Sequence, residues 1–500
     1  MAEFDLPARF PREVRKEADK IHGKITPKDL KGRKDYRDTL TFTIDPSDAR
    51  DFDDALSFRK LDSGNYEVGV HIADVSRYVR PDSHIDHEAR YRGTSVYLVD
   101  RTVPMLPERL CNELCSLCEG EDRLCFSVVF EISPKAAVRA RWFGRTIIRS
   151  DRRMDYDEAQ AIIDNPPARE ERTPLEDAIL TLNHLAKLLR EARFRAGAID
   201  FDRPELKIDA DEEGRPVRIW QKRSLDSNKL IEEFMLLANR NVAEFVGTGG
   251  RMNGVPMKHA KTFVYRVHDE PNYERLEGLR SFASRFGYKM EEAWDGKEAA
   301  SSLRSLFRAS EGKPECAAFE NIALRAMAKA CYSTNNIGHY GLAFPFYTHF
   351  TSPIRRYPDL MVHRLLSAYL EGADSAHKAY FERECLYASE REQLAADAER
   401  ASIKYKLVEY MEDKIGMEFD GTISGLTDWG IYVELDDTHV EGMVALRSMR
   451  SDYFEYDEGH YRVRGRRTHK QYLLGDRVHI KVVGTNLEQR QLDFILIETE

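Results

Sequence analysis

Long apolar runs are missing from this sequence, and their absence sets the first limits on what the chain does. No stretch approaches the roughly 18 consecutive apolar residues that a membrane-spanning helix needs. Residues 1–20 are charged from the start and contain no apolar segment typical of a secretory signal. We therefore expect a cytoplasmic protein with no membrane partner.

Cysteine is also scarce, with seven residues spread thinly through the 500. An odd, dispersed set is typical of reduced thiols rather than of a disulfide framework. Only Cys115 and Cys118 have the spacing of a zinc-finger pair, and no second such pair or paired histidine follows, so we expect buried thiols there. The phosphate-binding pattern GxxxxGK[ST] is missing too, which predicts no nucleotide cofactor.

The residues that are present describe an ordinary globular protein with an excess of negative charge. Hydrophobic residues make up 42% and charged residues 32%, which excludes long disordered regions. Lys and Arg number 76 against 86 Asp and Glu, so the formal charge is −10. Because phosphate binding favours Lys and Arg, this total argues weakly against a nucleic-acid partner.

Periodicity predicts strands and helices in the first 412 residues and a separate small barrel after them. Strands are expected at 41–44, 66–72 and 125–132, and helices at 11–21, 229–242, from Pro358 and at 381–411. Beyond residue 413, short alternating segments separated by glycines predict about five strands of an OB-type barrel. We expect an α+β chain with a leader over 1–40, a large domain of mixed β-sheet and surrounding helices over 41–412, and the barrel over 413–500.

The strongest chemical signal is a cluster of four aspartates, Asp45, Asp51, Asp53 and Asp54. Carboxylates so close together repel one another unless a cation neutralises them. Magnesium is usually held by a few carboxylates and substrate phosphate oxygens, and two such ions can promote phosphodiester hydrolysis. An Asp-rich surface turn is the alternative, and a calcium loop is disfavoured because its central Gly and closing Glu are missing.

A pair of arginines is the second signal. Pro353 and Pro358 hold the backbone extended before a helix, so Arg355 and Arg356 project from a constrained loop. A guanidinium group binds phosphate through two hydrogen bonds and stabilises charge that develops during its transfer. The alternative is an ordinary ion pair with Asp359.

Several long motifs resemble the RNase II/RNase R exoribonucleases, the RNB family. They are TIDPSDARDFDDALS, GVHIADVSRYV, TSVYLVDRTVPMLPERLCNELCSL and HFTSPIRRYPDLMVHRLL, in collinear order within residues 5–410. The tail, with GMEFDGTISGLTDWGIYVEL, resembles an S1-type RNA-binding domain. The resemblance implies magnesium-dependent, processive 3′-to-5′ hydrolysis of single-stranded RNA to nucleoside 5′-monophosphates.

The same resemblance implies roles for the four aspartates, which match the family's active-site positions. All four are expected to contact magnesium, with Asp45 and Asp54 as direct ligands. Asp51 and Asp53 are expected to serve catalysis as well, and Asp53 most of all.

The resemblance also implies a path for RNA. Arg355 matches the family's catalytic arginine, and Arg356 is a further contributor. Tyr97 matches the aromatic residue at the 3′-terminal nucleotide, and Phe201 matches one that stacks on the other side of the bases; from the residues alone, both would be core aromatics. Aromatic faces stack on any base, and the 2′-hydroxyl distinguishes RNA from DNA.

Weaker signals extend this path. Glu232 and Glu399 lie on predicted helices and are candidate RNA contacts, with solvated helix charges as the alternative. Phe419, Trp429 and Tyr432 lie near the first strands of the barrel, where bases usually stack, and at least one of them is expected in its core.

The net negative charge does not exclude a nucleic-acid partner, because the acidic and basic residues lie in different places. Five aspartates fall within residues 45–54, where metal would balance them, whereas basic residues gather at 355–356 and in a loop over 462–470 that contains no acid. This loop either contacts phosphate or is merely solvated.

Relatives carry two cold-shock domains before the catalytic domain, and this sequence starts where that domain begins, so we expect weaker RNA capture than in those relatives. A monomer is expected. The rival hypotheses are a non-catalytic RNA-binding protein and a DNA exonuclease with the same two-metal chemistry.

Overall fold

The computed structural model describes residues 1–199, 205–249, 251–252, 255–256, 259–292, 295–313, 315–457 and 462–497. Phe201, a predicted RNA contact, lies outside the described residues. The helices are α1 Arg12–Asp19, α2 Pro27–Leu30, α3 Val75–Tyr78, α4 His84–Arg92, α5 Tyr156–Asp164, α6 Pro174–Ala196, α7 Asp226–Thr248, α8 Tyr273–Arg285, α9 Gly296–Ser310, α10 Cys316–Ala326, α11 Tyr357–Leu370 and α12 Lys378–Met411.

The strands of the larger domain are β1 Lys34–Asp35, β2 Thr41–Asp45, β3 Asp54–Lys60, β4 Tyr66–Ala73, β5 Val96–Tyr97, β6 Thr102–Val103, β7 Asp122–Ile132, β8 Val138–Arg149, β9 Arg152–Asp155, β10 Glu205–Ala210, β11 Pro216–Lys222, β12 Arg251–Met252, β13 Val255–Pro256, β14 Tyr265–Val267 and β15 Cys331–Ser333. Those of the barrel region are β16 Glu418–Leu426, β17 Gly430–Leu435, β18 Glu441–Ala445, β19 Phe454–Asp457, β20 Arg462–Gly465, β21 Gln471–Leu473, β22 Arg477–Asn486 and β23 Gln491–Leu496.

A seven-stranded mixed sheet forms the centre of the larger domain, in the order β1-β8-β7-β4-β3-β2-β9. β1 runs parallel to β8 and β2 parallel to β9, whereas the other neighbours are antiparallel. The middle strands β4 and β7 consist almost entirely of buried residues. Helices α5, α6, α7 and α11 share one hydrophobic core with this sheet, and their burial against it supplies most of the driving force for folding.

Helix α12 joins the two parts of the chain. Its 34 residues contain no Pro or Gly, as the sequence predicts for a single long helix. It ends at Met411, seven residues before the barrel begins at Glu418. In the described part of the chain, no helix combines the length and the apolarity needed to cross a bilayer.

The C-terminal strands close into a barrel in the order β16-β17-β18-β23-β22. The register shifts beside Gly425 and Gly484, where an irregularity lets the strands bend around a narrow core. The predicted fold class is therefore confirmed: an α+β domain with a mixed sheet is followed by a five-stranded, OB-like barrel.

The basic segment 462–470, expected as a loop, is partly strand, and its contact with phosphate stays a prediction. This segment contributes to a small antiparallel sheet of β19, β20 and β21, which places acidic side chains opposite the arginines. Arg462 pairs with Asp457, and Arg466 pairs with Glu455. The run itself contains no acid, so the sequence pattern concealed partners that lie on the neighbouring strand.

Candidate active site

The aspartate cluster lies at one edge of the central sheet. Asp45 is the last residue of β2 and Asp54 the first residue of β3, and these two strands pair antiparallel. The loop between them turns the chain back and carries Asp51 and Asp53. The structure thus gathers all four predicted aspartates at the same edge.

Burial raises the pKa of every carboxyl group in this cluster. The pKa of Asp45 rises to about 7 and that of Asp54 to about 8, and the pKa values of Asp51 and Asp53 rise as well. Repulsion adds to burial, because Asp45 raises the pKa of Asp54, while Asp51 and Asp53 raise that of Asp45. Such a cluster favours an added positive charge, either as protons or as a cation.

The donor atoms of the cluster are compatible with a hard divalent cation. The Oδ2 atom of Asp45 is buried and has no hydrogen-bond partner among the described residues. In the same part of the chain, no three His, Cys, Asp or Glu side chains are arranged to hold a metal ion. Magnesium usually takes one or two carboxylates and completes its shell with water and phosphate oxygens. The cluster therefore fits a magnesium site shared with a phosphate group rather than an all-protein cage.

Asp53 connects the cluster to the arginine segment. Its side chain is buried, and its Oδ1 atom accepts a hydrogen bond of 2.9 Å from the backbone amide of Ile354. Its Oδ2 atom lies 3.8 Å from Nε of Arg355. The guanidinium group therefore sits directly beside the carboxylates, where it can neutralise a bound phosphate.

The two adjacent arginines have different surroundings. The Arg355 side chain is 41% exposed, and its Nη2 atom donates a hydrogen bond of 3.0 Å to Oγ of Ser352. The Arg356 side chain is largely buried and donates at 2.8 Å to Oδ1 of Asp359, which is fully buried. The ion pair with Asp359 therefore exists for Arg356, whose predicted contact with RNA stays a prediction, whereas Arg355 faces the cluster.

Tyr97 and Glu399 lie close to Arg355. The carbonyl oxygen of Arg355 accepts a 2.9 Å hydrogen bond from the amide of Ser95, which ties the arginine loop to the segment that carries Tyr97. Glu399 on α12 accepts a 2.8 Å hydrogen bond from the amide of Tyr97. The Tyr97 side chain is 44% exposed, so it is not a core aromatic. Partial burial raises the pKa of Tyr97, and the carboxylate of Asp51 adds to the rise.

Glu232 lies on α7 with about half of its side chain exposed, and its predicted RNA contact stays a prediction. Arg193 on α6 was not predicted as part of this region. Its Nη2 atom lies 3.5 Å from Oε1 of Glu232 and 2.5 Å from Oε1 of the buried Glu233. This ion pair joins helices α6 and α7. Local sequence patterns could not predict it, because Arg193 and Glu233 are 40 positions apart.

Two further residues at the site were missed by sequence reasoning because the short strand β9 was not predicted. β9 lies parallel beside β2, so Tyr156 follows directly at the aspartate edge. Burial raises the pKa of Tyr156, and the carboxylates of Asp54 and Asp45 raise it further. Arg153 donates two hydrogen bonds of 2.9 Å to carbonyl oxygens of the aspartate loop and thereby holds its start.

The three barrel aromatics differ in exposure. Trp429 is 62% exposed, and its Nε1 atom donates a 3.2 Å hydrogen bond to the hydroxyl of Tyr432. Phe419 is partly buried and packs against the hydrophobic core that the barrel shares with helices α8, α9 and α10. Trp429 offers exposed ring surface to a ligand and Tyr432 is partly buried beside it, whereas Phe419 packs against the core.

Comparison with known proteins assigns both domains. Residues 33–372 match the RNB domain, and residues 412–496 match the S1 RNA binding domain. The chain belongs to the RNB family.

Individual RNB proteins are similar over the whole chain. Ribonuclease R 1 of Lactococcus lactis is 40% identical over 506 residues, which cover 100% of this chain and 60% of the relative. Ribonuclease R of Thermotoga maritima is 41% identical over 507 residues, covering 99% of this chain and 69% of the relative. The structure of Mycoplasma genitalium RNase R with ribose-methylated single-stranded RNA matches with a TM-score of 0.91 at 26% identity, covering 99% of this chain and 77% of that one. The chain thus spans 60% to 69% of the length of these two curated relatives.

Proposed function

We propose that this chain is a magnesium-dependent exoribonuclease that removes nucleotides processively from the 3′ end of single-stranded RNA and releases nucleoside 5′-monophosphates. The observation that carries the proposal is the position of the Arg355 guanidinium, 3.8 Å from the buried carboxylate of Asp53 and beside three partly buried aspartates. Support comes from relatives named ribonuclease R and from the similar M. genitalium enzyme, solved with single-stranded RNA.

In this proposal Asp45, Asp51, Asp53 and Asp54 would share the magnesium, each ion taking one or two of these carboxylates and completing its shell with water and phosphate oxygens. When bound, the metal supplies charge neutralisation, an activated water and stabilisation of the leaving oxygen, by two-metal chemistry. Asp53 aligns Arg355, and Arg355 binds a phosphate oxygen and stabilises the charge that develops on it. Tyr97 stacks on the terminal base, and Glu399 fixes the backbone of Tyr97 in position.

The remaining sequence predictions complete the proposed RNA path. Phe201 stacks on the bound bases, while Glu232 and Arg356 contact the RNA. Trp429 and Tyr432 hold a more distant part of the strand on the barrel. The proposal also includes a monomer that works in the cytoplasm.

The decisive experiment follows the products from RNA labelled at its 5′ end and, separately, at its 3′ end, with magnesium and with EDTA. The proposal expects immediate release of a labelled mononucleotide from the 3′-labelled strand and progressive shortening of the 5′-labelled strand, both abolished by EDTA. Binding without product would favour the non-catalytic rival. Equal degradation of an all-deoxy strand would favour the DNA exonuclease.

One further property follows. A duplex with a 3′ single-stranded overhang should be shortened from the overhang.

A further inference from the structure

A two-stranded ribbon projects beside the catalytic edge and has two unlike faces. β10 and β11 pair antiparallel, with Glu205 opposite Lys222 and Lys207 opposite Trp220. Side chains alternate between faces along a strand, so alternate residues share a face. One face carries Ile219, which packs against the second hydrophobic core of the molecule. The other face is available to solvent.

This outer face combines an aromatic ring with an excess of positive charge. Its residues are Glu205, Lys207, Asp209, Arg218, Trp220 and Lys222. The side chain of Trp220 is 37% exposed, and its Nε1 atom donates a 3.0 Å hydrogen bond to Asp209, which fixes the ring on the ribbon. Lys207 on this face pairs with Glu205 at 2.9 Å, so Arg218 and Lys222 are the cations offered beside the ring. An exposed indole held in place next to cations is a combination that single-stranded nucleic acid recognises.

The ribbon runs between the catalytic edge and the end of α12. At its open end, Nζ of Lys222 lies 5.8 Å from the ring centre of Tyr156, the residue that borders the aspartate cluster. At its turn, the carbonyl oxygen of Gly214 accepts a 2.6 Å hydrogen bond from Lys406, on the last two turns of α12 before the barrel. The outer face therefore connects the catalytic edge to the region where the barrel starts.

We propose that the outer face of the β10–β11 ribbon is a binding track for single-stranded RNA, on which Trp220 stacks on a base while Arg218 and Lys222 contact phosphates. The inference rests on the proposed function, because it assigns part of the substrate to a surface outside the catalytic cluster. Single-stranded RNA is the favoured occupant because the face is continuous with the catalytic edge and its cations outnumber its acids.

The first experiment isolates stacking. Binding of a labelled poly(A) strand of about 16 nucleotides is measured in an Asp53→Asn background, which prevents degradation. Trp220→Ala should weaken binding by about five- to a hundred-fold, and Trp220→Phe should restore most of it. Tyr380→Ala is the matched control, because Tyr380 is 41% exposed at the far end of α12. In otherwise native protein, Trp220→Ala should raise KM and leave kcat within about two-fold.

The second experiment isolates the phosphate contacts. For single strands, each phosphate contact contributes about 0.7 to the slope of log affinity against log salt concentration. Arg218→Ala and Lys222→Ala should each reduce the slope by about that amount, whereas Trp220→Ala should leave it unchanged. Lys135→Ala serves as the control, because Lys135 is exposed in the turn at the opposite end of the central sheet.

The outcomes separate this inference from the proposed function. If the wild type releases mononucleotides but Trp220→Ala binds RNA as tightly as Tyr380→Ala does, the track is overturned and the exonuclease stands. If the wild type releases nothing yet Trp220→Ala loses RNA affinity, the exonuclease is overturned and the track is supported. A Trp220→Phe variant that binds as weakly as Trp220→Ala would also overturn the stacking role.

Discussion

The backbone amide of Ile354 donates a 2.9 Å hydrogen bond to Asp53, although the two residues are 301 positions apart. This contact brings the arginine loop to the aspartate edge and leaves the other carboxylate oxygen of Asp53 facing Arg355. Asp53 therefore makes two contacts with one side chain: one oxygen holds the loop, and the other faces the guanidinium group that we propose binds phosphate.

Asp53→Asn should separate these two contacts. The amide side chain still offers an oxygen to Ile354, so the fold and the RNA affinity should be kept. Loss of the negative charge should lower kcat by at least about a hundred-fold, the size seen when one preorganised electrostatic group is removed. Single-turnover hydrolysis and RNA binding measure the two effects. Asp48→Asn, at an exposed position of the same loop, should stay near wild type, and an equal loss there would contradict the assignment.

Arg355 and Arg356 should respond oppositely to truncation. Arg355→Ala should reduce kcat by about 100- to 1000-fold with little change in the free energy of unfolding, because its side chain is partly exposed. Arg356→Ala leaves the buried Asp359 unpaired and should lower the free energy of unfolding by about 3 kcal/mol. Denaturant titration and kinetics on both variants check this. Unchanged stability with reduced RNA affinity in Arg356→Ala would instead support an RNA contact.

Metal-free protein should lose stability as pH rises. Burial and mutual repulsion raise the pKa of Asp45 to about 7 and that of Asp54 to about 8 in the folded chain, against about 3.9 in an unfolded one. The folded state binds more protons between these limits, so the contribution is full below about pH 4 and disappears as pH passes 7 to 8. In EDTA, Tm should fall by several degrees between pH 5 and pH 8.

Magnesium should reverse this loss, and more strongly at high pH, because metal binding requires deprotonated carboxylates. Calorimetry with and without the metal measures the difference. In a double variant with Asp45→Asn and Asp54→Asn, Tm should no longer fall between pH 5 and pH 8 through these two groups. Magnesium should also no longer raise the Tm of this variant. A magnesium gain retained in this variant would place the metal elsewhere.

On the barrel, Trp429 and Phe419 should separate binding from stability. Trp429→Ala should weaken binding of long RNA by about ten-fold, since one stacked base contributes about 1–3 kcal/mol. Phe419→Ala should instead lower the free energy of unfolding by about 2 kcal/mol, because its ring packs against the barrel core. Thermal unfolding and RNA titrations of both variants measure stability and RNA affinity. If both variants changed stability and RNA affinity to the same extent, these separate roles would be refuted.

Local patterns predicted much of this molecule. The aspartate cluster is contiguous in sequence, so its proximity follows from chain connectivity, and the long helix over 381–411 follows from the lack of Pro and Gly. The OB-like barrel follows from short segments of alternating apolar and polar residues that are separated by glycines. These features depend on neighbours in the chain, which a sequence displays directly.

The features that escaped prediction depend on tertiary pairing. Arg355 and Arg356 are adjacent and chemically alike, and only the position of Asp359 on the first turn of α11 decides which of them turns inward. Tyr156 reaches the site only because β9 lies beside β2. The acids opposite Arg462 and Arg466 come from a neighbouring strand, so a charge count along the chain could not reveal them.

Helix α12 gives the molecule a fixed internal length scale. Glu399 holds the segment that carries Tyr97, and the same helix ends at Met411 just before the barrel, about 18 Å further along at about 1.5 Å per residue. Because a continuous helix resists compression, it keeps these two regions at a fixed separation. On the proposed RNA path, we expect a strand too short to reach from Tyr97 to the barrel to engage one region at a time. The gain in avidity from holding both should then begin only above a threshold RNA length.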